Sequence, residues 1–357
     1  MAAEIAILDD DHINRLIRYA IAGPGEVTQD WAEHFFLPED VDTARVRALG
    51  EGLRRDGVAL VPMAVDARKG TDAQVLIFRR GVIDAALMDA NPKLKLIQRI
   101  GERSEMIDLA AAKARGIAVS CVPRPSLQFT AEHAVLLMLA LTKKLIVSDA
   151  AVRNDTWDRG RVHPENGVAY NWAGITGIGG LYGATVGIVG LGEVGAMAAR
   201  MANGFGARVV YCNRTRLSPE REAAYGVDYL SLPQLLAQSD FVSMHASNLP
   251  ENKGMIDAAF FAQMKRSAFF INTSRGRMVD EPSLRDALAR GVIAGAGLDV
   301  HAQEPRPRPN LFAGLTNVIM TPHLAGGARV AIIDEVAAVV GNCQAAMTGG
   351  EIAHRVA

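Results

Sequence analysis

Short apolar runs alternate along most of the chain with stretches whose apolar residues recur every three or four positions. That alternation predicts strand and helix in turn. Residues 4–8 read as a strand, followed by helical spacing through Ile13, Leu16 and Ile17 that Gly23-Pro24-Gly25 breaks. Residues 26–40 fit neither pattern. Helical spacing returns over 41–55, and 59–62 can form a strand. The runs 73–78, 94–100 and 117–121 predict buried strands, separated by helices over 83–89 and 107–115. Pro123 and Pro125 mark a boundary, after which 130–151 predicts one long, very apolar helix. Residues 152–181, rich in Gly, Asn and Trp, read as a large loop. From 185 the alternation resumes, with strands over 185–189, 207–212, 240–244, 268–272, 292–298 and 317–320. The helices between them cover 193–204, 219–225, 232–238, 257–264 and 281–290, and a last helix spans 328–347. Such alternation implies an α/β chain with two parallel sheets.

Composition narrows this picture. A chain of 357 residues, 49% hydrophobic and only 6% aromatic, fits two domains with aliphatic cores. With 38 basic and 39 acidic residues the net charge is −1, which gives no electrostatic grip on nucleic acid or anionic lipid. Three widely spaced cysteines, Cys121, Cys212 and Cys343, suit a reducing compartment and offer neither a disulfide framework nor zinc spacing, so no metal site is expected. The first residues lack the basic start and long apolar core of a signal peptide, and no apolar run reaches membrane-spanning length. A soluble, cytoplasmic protein is expected.

The chemistry starts at Gly190-Leu191-Gly192-Glu193-Val194-Gly195, between the strand 185–189 and the helix 193–204. Gly190 permits the tight turn, Gly192 leaves bare backbone against a pyrophosphate, and Gly195 lets helix and strand pack closely. The helix N-terminus at Glu193 and Val194 presents unpaired N–H groups and partial positive charge to phosphates. A dinucleotide site follows from the strand, the turn and the helix together, since spaced glycines alone also occur in plain βα turns.

Three segments downstream make this reading specific: Asn272-Thr273-Ser274-Arg275-Gly276, then Gly297-Leu298-Asp299-Val300 with Glu304-Pro305, then Thr321-Pro322-His323. With the glycine turn, their order and spacing resemble the D-isomer-specific 2-hydroxyacid dehydrogenase family, over roughly residues 73–350. The resemblance implies two Rossmann-like or flavodoxin-like parallel-sheet domains with a cleft between them. Residues 1–123 and 322–357 would form the substrate domain and 124–321 the dinucleotide domain. It also implies a homodimer formed through the helix 130–151, and a small 2-keto or 2-hydroxy acid as substrate.

The same resemblance assigns roles. Arg275 anchors the substrate and polarises its carbonyl, work suited to a guanidinium fork. His323 is the general acid/base, and Glu304 pairs with it, orienting the ring and favouring its charged form. Asp299 faces the nicotinamide, and Thr273 and His245 border the cofactor. Taken singly, Arg275 also reads as a surface ion pair, His323 as a structural histidine, and Asp299 and Glu304 as solvated loop residues. A nucleotide-sensing, corepressor-like protein on the same fold is the alternative function.

The chain departs from the family twice. After the second nucleotide strand stands Cys212-Asn213-Arg214-Thr215-Arg216, without the Asp or Glu that accepts from a ribose 2′-hydroxyl. Two guanidinium groups and a hydroxyl there favour NADP(H) over NAD(H); the other reading is a basic surface turn. In the loop Gly101-Glu102-Arg103-Ser104, Arg103 replaces a glycine whose backbone would hold the substrate carboxylate, which places Glu102 and Arg103 at the substrate. Arg79, Arg80 and Arg103 all follow strands, so together they suggest a substrate with a second anionic group. Glu102 and Glu105 could equally neutralise them at the surface.

Overall fold

A computed structural model of the protein describes residues 3–22, 43–62, 65–156, 170–247, 250–326 and 331–357. The chain divides into two compact units, Met1–Ser126 with Ala328–Ala357, and Leu127–Gly327. Both are α/β, and every strand pairing within the two sheets is parallel.

In the first unit, β1 (Glu4–Ile7), β2 (Ala59–Leu60), β3 (Val75–Phe78), β4 (Leu96–Ile100) and β5 (Ala118–Val122) lie in the order β2-β1-β3-β4-β5. Period-two alternation sorts side chains to two cores. Val75 and Ile77 join Leu16, Ile17, Val336 and Val340 beneath the helices His12–Ile21 and Ala331–Thr348. Leu76 and Phe78 join Leu87, Met88 and Ile97 on the other face. Asn342, buried in the last helix, donates to Gln98 Oε1 at 2.8 Å and to Ser120 Oγ at 3.1 Å, tying that helix to β4 and β5. Residues 354–357 bond to the outer side of β5 through Cys121 N to His354 O (3.1 Å) and Val356 N to Val119 O (2.8 Å). That pairing covers a sheet edge that would otherwise present free N–H and C=O groups. The helical spacing of 41–55 forms two helices, Thr43–Leu49 and Glu51–Arg55. Gly50 separates them and lies so close to the Ala20 carbonyl that no side chain fits.

The second unit holds β6 (Thr185–Val189), β7 (Arg208–Cys212), β8 (Val227–Tyr229), β9 (Phe241–Met244), β10 (Phe269–Asn272), β11 (Gly295–Leu298) and β12 (Val318–Met320) in the order β12-β11-β10-β9-β6-β7-β8. This is the doubly wound order, and its direction reverses between β6 and β9, where ligands gather in such sheets.

The single helix expected over 130–151 is corrected. Two helices occupy the segment, Leu127–Thr142 and Leu145–Arg153, and Lys144 between them is left-handed with φ 55°. The Thr142 carbonyl accepts from Gly179 N at 2.9 Å instead of continuing the helix. Apart from the exposed Leu136, most of the apolar surface of the first helix is used within its own unit. Ala134, Leu137, Met138 and Leu141 are buried, and Gly297 on β11 admits Leu137 so closely that a Cβ there would meet it at 2.9 Å. Exposed apolar side chains concentrate instead on the second helix, at Leu145, Ile146, Val147 and Val152. Residues 26–40, His34, His163 and much of the loop expected over 152–181 lie outside the described residues.

Candidate active site

The glycine turn joins β6 to the helix Glu193–Gly204. Gly190 has φ +98°, and a Cβ on it would come within 2.5 Å of Ala246 N, so the residues following β9 lie directly against the turn. A Cβ on Gly195 would meet Gly190 O at 2.5 Å, which fixes how closely the helix approaches the strand. Gly192, by contrast, is the helix N-cap, and a Cβ there meets nothing within 4 Å. Its half-buried backbone edge has room beside it for a phosphate. Glu193 and Val194 open the helix beside it.

Asn213, at the end of β7, accepts from Leu191 N at 2.7 Å, so its side chain fastens the glycine turn. Both guanidinium groups expected next to it have carboxylate partners. Arg216 donates to both oxygens of Glu222 at 2.8 Å and lies 5.3 Å over the Tyr229 ring. The hydrogen bonds from Arg216, and then from Tyr211, bring the Glu222 carboxyl down to about 2, so this pair stays closed at neutral pH. Arg214 is exposed and meets Glu251 Oε1 at 3.0 Å; Thr215 is exposed. Carboxylates do reach this turn, from Glu222 and Glu251, neither of which local sequence could show.

His245 follows β9 and donates its N–H to Val189 O at 2.8 Å. Its Nε2 lies 2.9 Å from Ser243 Oγ, and burial lowers its pKa to about 4, so the ring is neutral. Thr273 is buried, and its hydroxyl has no hydrogen-bond partner among the described residues. A buried orphan hydroxyl, an open Gly192 edge and a close turn at Gly190 suit a dinucleotide along the ends of β6, β9 and β10.

Arg275 is exposed beyond β10, with Nη1 donating to Ser274 O at 2.7 Å. Its loop is shaped by Asn272, which accepts from Ser274 N at 3.0 Å and donates to Arg275 O at 3.1 Å. Gly276 then abuts the backbone of His301 with no room for a side chain, so the loops after β10 and β11 are in direct contact. The second loop carries Glu304, whose carboxylate is divided. Oε1 accepts from His301 N at 2.8 Å, and Oε2 lies 2.6 Å from His323 Nδ1. The glutamate and the histidine, 19 residues apart, are therefore brought together. His323 Nε2 has no hydrogen-bond partner among the described residues, and the exposed ring lines a cavity of about 660 Å³ together with Pro305, Arg306, Met320 and Pro322.

Asp299 follows β11 directly and is fully buried. Its carbonyl accepts from His323 N at 2.8 Å. Its Oδ1 accepts from Thr321 Oγ1 (2.5 Å) and Leu324 N (2.9 Å), and its Oδ2 from Ala325 N (2.9 Å). Rather than a solvated loop residue, it is the clamp on the turn that presents His323. That turn needs a clamp, because His323 itself has φ 55°. Sequence reasoning missed the shell behind this turn: His133, His301, Glu281 and Arg306. His133 reads locally as a packed helix residue; only the pairing of β12 with β11 brings it to Thr321, 188 positions away.

In the first unit, the expected anionic-substrate arginines are largely neutralised. Arg79 Nη1 lies 2.6 Å from Asp11 Oδ2, and Arg103 Nε lies 3.4 Å from Glu105 Oε2. Glu102 and Arg80 are exposed. Gly101 carries φ +129°, and its N–H donates to Val122 O at 2.8 Å.

The comparisons with known proteins agree with one another. The profile described as D-isomer specific 2-hydroxyacid dehydrogenase, NAD binding domain, matches residues 135–325. A D-3-phosphoglycerate dehydrogenase of Mycobacterium tuberculosis is 38% identical over 254 residues, which are 71% of this chain and 45% of that enzyme. The chain thus spans less than half the length of the mycobacterial relatives it matches. A glyoxylate reductase of Korarchaeum cryptofilum is 38% identical over 69% of this chain and 71% of its own. Among solved structures, a glyoxylate reductase from Paecilomyes thermophila is 26% identical with a TM-score of 0.56, covering 99% of this chain and 98% of that one. The glycine turn, the Arg275 loop and the Glu304–His323 pair therefore belong to a member of the D-isomer-specific 2-hydroxyacid dehydrogenase family.

Proposed function

We propose that the protein is a nicotinamide-dependent 2-hydroxyacid dehydrogenase that works as a reductase of a small 2-keto acid. The observation that carries the reading is the 2.6 Å contact between His323 Nδ1 and Glu304 Oε2, on a ring that lines a cavity and whose Nε2 has no hydrogen-bond partner among the described residues. When bound, the nicotinamide cofactor supplies the hydride. Gly190, Gly192, Gly195, Thr273 and the backbone near His245 hold it. Arg275 takes the substrate carboxylate or carbonyl oxygen in its fork. His323 delivers a proton from Nε2 to the oxygen as negative charge develops there. It reclaims the proton in the oxidative direction. Glu304 keeps the ring in one orientation, because its other oxygen is already anchored on His301 N.

The neutralised Arg79 and Arg103 favour a compact monocarboxylate over a dicarboxylate or phosphorylated acid. The names of the relatives do not decide between these, because a glyoxylate reductase and a D-3-phosphoglycerate dehydrogenase are equally similar at 38% identity, so the choice rests on the arginine partners alone. For the cofactor, only Arg214 remains from the arginine pair, and its exposed partner Glu251 is readily displaced by a phosphate. NADP(H) stays the preferred reading, resting on one guanidinium rather than two. The apolar side chains exposed on Leu145–Arg153 support a homodimer, which light scattering after size exclusion tests directly. The free cysteines, two of them buried, fit a reducing compartment such as the cytoplasm.

The deciding experiment is turnover of glyoxylate and hydroxypyruvate with both reduced cofactors, in the native protein and in His323→Ala. Loss of about 10²–10⁴-fold in kcat with cofactor affinity retained is expected. Native turnover in His323→Ala would overturn the assignment. Absence of turnover in the native protein would favour a binding protein on the same fold.

A further inference from the structure

Two buried histidines outside the reacting pair converge on one threonine. Thr321 follows β12 and leads through Pro322 to His323. Its hydroxyl lies 2.5 Å from Asp299 Oδ1, an oxygen that already accepts from Leu324 N, so the single hydroxyl proton points at the carboxylate. His133 Nε2, from the helix Leu127–Thr142, lies 3.0 Å from the same hydroxyl oxygen and 3.6 Å from Asp299 Oδ1. With the hydroxyl proton committed, this nitrogen must carry a proton of its own and donate it. Burial lowers the pKa of His133, against the pull of Asp299, so the donor is a neutral Nε2–H ring.

His301 reaches Thr321 from another side. Its Nε2 lies 3.0 Å from the Thr321 carbonyl, which can only accept. Its Nδ1 lies 3.0 Å from Arg306 Nη1, which can only donate. The tautomer is thereby assigned as Nε2–H. Arg306 is itself held, stacked over Phe312 at 5.0 Å with Nη2 at 3.6 Å from Glu281 Oε2.

We propose that His133 and His301 are positioning residues for the general acid, two Nε2–H donors that pin both oxygens of Thr321 and thereby the left-handed backbone of His323. This rests on the reading of His323 as the acid. A left-handed non-glycine residue is strained by roughly 1–2 kcal/mol and persists only when its surroundings over-determine it. Asp299 clamps the turn from β11; the histidines fix its entry from a helix and from the β11 loop. Because His301 N also holds Glu304 Oε1, one residue sets both ends of the Glu304–His323 contact.

The test compares His133→Leu, which keeps bulk and removes the donor, with His133→Gln, which keeps a neutral donor. Thr321→Val and His323→Ala are measured alongside. His133→Leu is expected to lose about tenfold to a hundredfold in kcat, the scale of a small misplacement of a catalytic group, with substrate KM and cofactor affinity near native. His133→Gln should recover most of that loss, and Thr321→Val, which also loses the bond to Asp299, should lose at least as much as His133→Leu. Adding His133→Leu to Thr321→Val should then cost little more. Equal damage from Leu and Gln would show that shape, not donation, matters, and would overturn the proposal. Native kcat in a folded His133→Leu would do the same. If His133→Leu does not fold, native kcat in Thr321→Val overturns it. Loss of turnover in His323→Ala alongside native kcat in His133→Leu would sink this inference alone. Native turnover in His323→Ala would remove the acid–base reading and this inference with it.

Discussion

Asp299→Asn is the sharpest probe of how the candidate site is held. The aspartate accepts three hydrogen bonds through two oxygens, from Thr321 Oγ1 and Leu324 N on Oδ1 and from Ala325 N on Oδ2. Asparagine keeps the shape but has one acceptor oxygen. With that oxygen at the Oδ1 position, its NH₂ group faces the Ala325 N–H, donor against donor, at a residue that is only 3% exposed. Losing one charge-assisted bond and leaving that N–H unpaired should together destabilise the turn by about 3 kcal/mol. For a unit of this size that corresponds to a fall in its Tm of roughly 6–12 °C. His323, no longer held at φ 55°, should lose kcat by about tenfold or more. Cofactor affinity should stay within a few-fold, because both carboxylate oxygens face the protein. The assays are scanning calorimetry, steady-state kinetics and titration of nicotinamide fluorescence. An unchanged Tm with cofactor binding weakened tenfold would refute this reasoning and return Asp299 to the nicotinamide.

Three further outcomes follow from other parts of the site. His245 is an ordinary base at 6.5 when unfolded and sits at about 4 when folded, so between those values the unfolded state binds the extra proton and stability falls as pH drops. At pH 5 the native protein should therefore lose up to about 2 kcal/mol relative to His245→Gln, compared with their difference at pH 7; equal differences in urea unfolding at the two pH values would exclude this. Gly190→Ala should destabilise by more than ~1 kcal/mol, since its φ is positive and backbone blocks the Cβ, whereas Gly192→Ala should keep its Tm and weaken the cofactor; native cofactor affinity in Gly192→Ala would remove the phosphate from that turn. Arg214→Ala should weaken NADPH about tenfold or more and spare NADH, and equal Michaelis constants for the two cofactors in the native protein would refute this, while Arg216→Ala should lower Tm without changing the preference, which an unchanged Tm would refute.

Much of this protein is legible in one dimension because its signals are local. Strand and helix periods and the glycine turn are properties of neighbouring residues, and the parallel architecture follows from their alternation; Arg275, Glu304 and His323 are far apart in sequence and are legible only through the family resemblance. Gly190 makes the tight turn and Gly195 the close packing that their spacing implies, because a βα turn leaves each one a single steric job. What the linear pattern could not decide was which charges meet. Arg216 belongs to Glu222, Arg79 to Asp11 and Arg103 to Glu105, and only the folded turns settle whether a guanidinium is spoken for. The apolar segment 130–151 is uniformly helical in pattern, yet Lys144 adopts a left-handed conformation and the Thr142 carbonyl turns to Gly179. The shell around His323 is the clearest case. His133, Asp299, His301 and Thr321 come from a helix, two strand ends and a loop, and no local period connects them. Sequence determines which groups can donate or accept; sheet order determines which of them are within 3 Å, and hydrogen bonding acts only at that range.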